Sequence, residues 1–373
     1  MVTLFRPGPY IEYSGSRPAA RRPLTSSSQL VVLFALCTTA LPTTTLGGCA
    51  ERVDVVARPL GSVVDADGGS ASSCDYAHIG ISRQGGLSLE ALAAQVQQHA
   101  LCTCAGLSMS APLSVLGPGA RARVQVDAEM SLGADSSVDG DLNIAGSAGV
   151  TLGEMLLTVG QSLSVGGDLL GAGARVEVSG DARIAGEIQL EALNVSGELQ
   201  QSAVTVAPAC PCDDRARIDA TPLGGDDWPM LELDAAPTNL ATPCSALQLV
   251  LAPAIEGHIT AQGDAMLLVD SDLAADGDLS VEVAAGHTLD LIVEGNLRVD
   301  GQLKLGDTQG GRVRLFVTGS GTVQLQGGAE LHGLLHAPDA ELVLSAPLEL
   351  HGSALVRRVA SQAELRIHAR DPP

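Results

Sequence analysis

The chain has 373 residues, 45% of them hydrophobic, and a formal net charge of −22; the first property excludes a disordered polypeptide and the second a nucleic-acid binder. Aromatic residues make up only 2% while glycine occupies 43 positions, so the interior is filled by Leu, Val, Ile and Ala, which suits a narrow repetitive core better than a thick globular one. The excess of acid keeps a repetitive β-protein soluble by self-repulsion.

Residues 1–48 read as a secretory signal peptide. Arg6, Arg17, Arg21 and Arg22 precede the short apolar run from Leu30 to Leu36, which is too short to span a bilayer. It is followed by Leu46-Gly47-Gly48-Cys49, which resembles a bacterial lipobox and would leave Cys49 as a lipidated N-terminus. The expected location is therefore outside the cytoplasm, with the chain anchored by lipid at the outer membrane or cell surface.

Six cysteines follow: Cys74, Cys102, Cys104, Cys210, Cys212 and Cys244. An even number in an exported chain points to disulfides. The Cys102-Thr103-Cys104 and Cys210-Pro211-Cys212 spacings make a bond within each pair awkward, so the partners are expected at distant sites, tying the segments that interrupt the repeats into one covalent knot. The sequence has no Cys-x-x-Cys, and no His lies beside either pair, so no metal is assigned to these thiols.

Residues 49–86 are expected to be a flexible tether, since Asp65-Ala66-Asp67-Gly68-Gly69-Ser70 lacks apolar surface to bury. Leu89, Leu92, Ala93, Val96 and Ala100 recur at helical spacing behind Ser88, predicting one short helix over residues 87–104 that ends in Cys-x-Cys. Short alternating strands punctuated by Gly and Asp then predict an all-β fold, a parallel β-helix or β-solenoid in two repeat blocks, 105–207 and 246–370. Gly140-Asp141-Leu142-Asn143-Ile144 returns forty residues later as Gly180-Asp181-Ala182-Arg183-Ile184, with Gly160-Gln161-Ser162-Leu163 midway, giving a period near twenty. In the second block Gly277-Asp278-Leu279 is echoed eighteen residues on by Gly295-Asn296-Leu297, and Glu330-Leu331-His332-Gly333 nineteen residues on by Glu349-Leu350-His351-Gly352. Between the blocks, residues 208–245 are expected to form an excursion that holds Asp213, Asp214, Asp226, Asp227 and Trp228, and it is the most promising place for function.

The helix before Cys102-Thr103-Cys104, the Gly-punctuated blocks, Cys210-Pro211-Cys212-Asp213, Pro243-Cys244 and the run Leu289–Leu297 together resemble bacterial exported β-helical proteins of largely unknown function, similar in appearance to the polymer-forming bactofilins. The resemblance covers roughly residues 87–368 and implies an envelope β-helix; it carries over no catalytic residue.

No catalytic, cofactor-binding or metal-binding residue is assigned. His-Glu-x-x-His, Gly-x-Ser-x-Gly and phosphate-loop motifs are absent. Asp270, Asp272, Asp276 and Asp278 lack the spacing of a calcium loop and read as solvated turn acids. His332 and His351, in equivalent places of adjacent coils, can stack and share a metal or titrate together, but are read as a repeated rim residue. The function expected is a non-enzymatic structural or surface-interaction role in the cell envelope. The alternatives are a carbohydrate-active or polysaccharide-binding β-helix, for which Tyr76, Trp228 and Phe316 are few aromatic platforms, and a polymer-forming scaffold. Expected partners are the membrane through the lipid, an envelope protein or polysaccharide, and further copies of the chain.

Overall fold

The computed structural model describes residues 53–55, 89–202, 205–212, 230–233, 238–240, 245–251 and 257–369, all within the compact unit 50–373. It is a parallel β-solenoid of about eleven coils, with one short helix among the described residues, Leu89–Val96. Among the described residues no helix is long and apolar enough to cross a membrane.

The local rule is simple. Strands such as Met130–Leu132, Leu142–Ile144 and Ala182–Ile184 have only three residues, of which the first and third are buried and the middle one points outward. Each strand bonds to the equivalent strand of the neighbouring coil, so inward residues form columns. One runs Leu101, Val124, Leu142, Leu163 and Ala182. Another runs Leu305, Leu331, Leu350, Ile367 and Val115. Small branched aliphatics fill this narrow interior without aromatic side chains.

The corners between strands are held by acids. Asp278 Oδ1 accepts the backbone N–H of Gln302 at 2.7 Å, and Asp272, Asp168 and Asp181 do the same for Asn296, Glu187 and Glu198 of the next coil. The turn acids therefore bond to backbone as well as facing solvent, which explains why Gly-Asp marks so many corners: the acid caps the coil above and the glycine lets that coil approach. A Cβ at Gly301 would collide with the backbone of Gly277.

The coils do not stack in chain order. Following the pairing, the stack begins with Val53–Val55, laid on Thr238–Leu240, and with Met230–Leu233, and climbs through the second block to Leu348–Ser361 and Leu365–His368. On this last coil sits the first coil of the first block, Leu101–Met109 and Leu113–Leu116. The first block then continues to the far end at Leu199–Gln201. The two blocks form one continuous stack, joined at the coil that begins the first and the coil that ends the second.

Several boundaries differ from the sequence reading. The helix is shorter than 87–104, and Cys102 and Cys104 lie in the strand Leu101–Met109, because their extended register with Val124–Val126 overrides the helical periodicity. Met230–Leu233 and Thr238–Leu240, inside the expected excursion, are members of the stack, and Val53–Val55, in the expected tether, pairs with Thr238–Leu240. The offset of nineteen between Glu330 and Glu349 is true register, and the forty-residue offset is the sum of two registered coils. The offset of eighteen is not: Leu279 pairs with Leu303, and Leu297 with Leu273. Corners on different faces of a coil carry similar signals, such as Gly277-Asp278 and Gly295-Asn296, so one face of a coil imitates another in sequence.

Candidate functional site

Three places on the solenoid concentrate polar chemistry. The first is a covalent clamp. Cys102 and Cys104 are two residues apart in an extended strand, so both project to the outer face while Leu101 and Thr103 point inward. Neither sulfur can close on the other, but both meet a second Cys-x-Cys laid over them: Cys102 bonds to Cys210 and Cys104 to Cys212, with Cα–Cα separations of 5.6 and 5.7 Å. Asp127, on the next coil, holds the same crossing. Its carboxylate accepts the N–H of Ala209 at 3.2 Å and of Cys210 at 3.3 Å, and Gln125 Nε2 donates to it at 2.8 Å. Burial pushes the Asp127 carboxyl above its ordinary value, and these hydrogen bonds oppose that shift. The clamp answers a topological need: Gln201 ends the stack five coil steps beyond Cys102, about 24 Å at ~4.8 Å per coil, which the extended chain from Gln201 to Cys210 is long enough to retrace.

The second place is an apolar outer column under the helix. Leu268, Ile292, Phe316, His336, Leu355 and Cys102 follow one another in register, and Leu89, Leu92, Ala93 and Val96 of the helix belong to the same buried cluster. His336 is buried inside this column, its ring 5.6 Å from Phe316. Burial lowers its pKa to about 4. In the adjacent column Asp290 is buried and forms a bidentate pair with Arg314, Nε to Oδ1 at 2.5 Å and Nη2 to Oδ2 at 2.7 Å.

The third is a ladder of imidazoles. His332, His351 and His368 occupy successive coils, with ring centroids 4.3 and 4.5 Å apart and planes within 4° and 13° of parallel. Glu330 Oε1 lies 2.6 Å from His332 Nε2, while Glu349 Oε1 lies 3.2 Å from His351 Nε2 and 2.9 Å from His368 Nε2. The hydrogen bond with His332 holds the Glu330 carboxyl below its ordinary value against the opposing effect of burial. The rim assignment fails for His332, whose side chain is only 3% exposed. It lines a small pocket together with His351, Asp307, Gly310, Gly311 and Arg312.

Of the cysteines singled out from sequence, Cys102, Cys104, Cys210 and Cys212 come together; Cys49, Cys74 and Cys244 lie outside the described residues, as do Asp213, Asp214, Asp226, Asp227 and Trp228. Asp272 and Asp278 serve as corner caps. Sequence reasoning missed His368, because Arg366 replaces glutamate in the third Glu-x-His repeat; the signal was there in a His one coil length beyond His351. It also missed Asp127, His336 and the Asp290–Arg314 pair, whose partners are distant in sequence.

The profile of a domain of unknown function (DUF7305) matches residues 255–371, which cover most of the second block, including the imidazole ladder. No curated protein matches the chain. Among solved structures, an ice-binding protein from an Antarctic bacterium of the Flavobacteriaceae is similar at 12% identity, covering 75% of this chain and 99% of that one, with a TM-score of 0.22. At that score the two chains do not superpose as wholes, and the fold stands on the strand pairing described above.

Proposed function

We propose that the protein is an exported lipoprotein, held by Cys49 at the outer membrane or cell surface, whose solenoid has a non-enzymatic structural or surface-interaction role. The observation that carries this reading is the double clamp, since two neighbouring disulfides form and persist outside the reducing cytoplasm. The aromatic inventory argues against a sugar-cleaving groove: Phe316 is fully buried under the helix, leaving only Tyr76 and Trp228 after the signal region for stacking on a sugar ring. Two or more acyl chains, at about 0.8 kcal/mol per buried methylene, give stable anchoring. The test is mass spectrometry of the protein from its native membrane under non-reducing conditions, with fractionation of Cys49→Ala. A lipidated Cys49 and release of the variant into the soluble fraction support the reading; an unprocessed cytoplasmic chain overturns it.

A polymer-forming scaffold is the second reading, favoured by one observation. Among the described residues Leu199–Gln201 pairs on one side only, and Leu199 is 48% exposed. Sedimentation of the wild type against Leu199→Lys distinguishes an assembling from a solitary chain.

A further inference from the structure

The imidazole ladder is a built cluster of ligand atoms that neither the clamp nor the fold requires. Glu330, His332 and His351 each present a ligand atom within 4.8 Å of the others, and so do Glu349, His351 and His368. The two triads share His351. All three Nε2 atoms have a carboxylate oxygen as their neighbour, and one oxygen, Glu349 Oε1, lies between His351 and His368 at 3.2 and 2.9 Å.

One feature makes this arrangement costly without a cation. Glu330 and Glu349 are direct cross-strand partners, and like charges in that position destabilise a parallel pair. The flanking residues in the same column are Lys304 beside Glu330 and Arg366 beside Glu349, but Arg366 is already paired with Glu364 at 2.6 Å. A dication between the imidazoles and the carboxylates relieves this cost.

We propose that His351 and His368, through Nε2, together with the Glu349 carboxylate, bind a single borderline divalent metal ion of the zinc class, with Glu330 and His332 flanking it. The ion takes the place that Glu349 Oε1 now holds between the two rings. A small tilt of the rings toward each other brings both nitrogens from about 3 Å to the ~2.0–2.1 Å of a metal–imidazole bond, and the carboxylate turns outward to complete the set. Two imidazoles and a carboxylate select zinc, nickel or copper over calcium and magnesium, which prefer oxygen alone. Sharing of His351 limits the ladder to one ion. Exposure of Glu349 at 44% and His368 at 31% gives the ion an entry route that the deeper His332 lacks.

The test uses the untagged full chain in detergent, freed of metal by chelator, and zinc alone as the probe. Calorimetric titration is expected to give one equivalent. His351→Gln is expected to weaken binding by at least ~100-fold and Glu349→Gln by at least ~10-fold. His258→Gln, three coil steps from Glu330 in the same outward column, keeps wild-type affinity and stoichiometry. Cobalt substituted at the site gives visible d–d bands that disappear in His351→Gln. Melting curves of the metal-free variants show whether they fold, and His368→Gln, nearer the surface, is the second ligand variant should His351→Gln unfold. Absence of zinc binding by the wild type, or wild-type affinity in folded His351→Gln and His368→Gln, overturns the proposal; neither result bears on export or lipidation.

Discussion

Cys102, in the first coil of the first block, lies in strand register with Leu355, in the last coil of the second block. The junction of the two blocks is thus made by residues from opposite ends of the repeat region, and the chain that leaves the first block must travel back along the stack to reach the second. Cys102 is also where that returning chain is bolted down.

The clamp should contribute strongly to stability, but as one unit. Each bond closes a sequence separation of 108, for which the unfolded-state entropy model gives up to roughly 4 to 5 kcal/mol. The two loops are nearly the same loop, so a second bond adds little once the first is made. Urea unfolding should show a modest loss for Cys104→Ser with Cys212→Ser, and a loss of about 3 kcal/mol or more only when all four cysteines are replaced. Equal, additive losses from each bond would show that the clamp works through local packing instead.

Charge at an inward column should be far more damaging than charge one residue away. Ile184 is fully buried in register with Val165, and Leu331 is buried between Leu305 and Leu350. Ile184→Asp and Leu331→Asp should each lose several kcal/mol, because no partner or water is available to the ion, whereas Arg183→Asp on the outer face should change little. Thermal melts of the three variants check this; equal melting temperatures would contradict the column assignment.

The corners offer a finer measurement. Asp278→Ala removes one acceptor from an exposed turn and leaves the Gln302 N–H to water, so a loss of about 1 kcal/mol is expected. Gly301→Ala must push the backbone of Gly277 aside and should cost more than Asp278→Ala in the same chemical-denaturation experiment.

The solenoid and its inward residues were legible because alternation and Gly-Asp corners are local signals. Register was legible only where a longer motif repeated, as in Glu330-Leu331-His332-Gly333 and Glu349-Leu350-His351-Gly352. Where only a corner repeated, Leu279 and Leu297 looked equivalent although they sit on different strand sets. Coil order was not legible at all, since any strand edge of the right cross-section can dock on any other, and the choice of Leu101–Met109 on Leu348–Ser361 is made in three dimensions. The candidate site was half-visible for the same reason: two rungs shared a motif, and His368 shared only its place in the next coil.

His336 should leave a measurable imprint on stability against pH. It stands in the outer column between Phe316 and Leu355, and among the described residues neither ring nitrogen finds a hydrogen-bond partner in another residue. Burial lowers its pKa from 6.5 to about 4, with its own backbone and Asp339 opposing the shift. The folded state therefore keeps the ring neutral where the unfolded chain takes up a proton. Its contribution is unaffected above about pH 6.5, and stability falls as the pH drops from there towards 4, by an amount on the order of 3 kcal/mol. His99, lowered to about 4 by burial and by Arg123, acts in the same direction, so the wild-type slope belongs to both. His336→Leu isolates one share. Leucine matches the apolar column and removes two unpartnered nitrogens, so the variant should be at least as stable at pH 7, and its advantage should widen steadily down to pH 4. Paired urea titrations across that range provide the measurement, and a gap that stays constant with pH would mean that His336 is not held neutral in the fold.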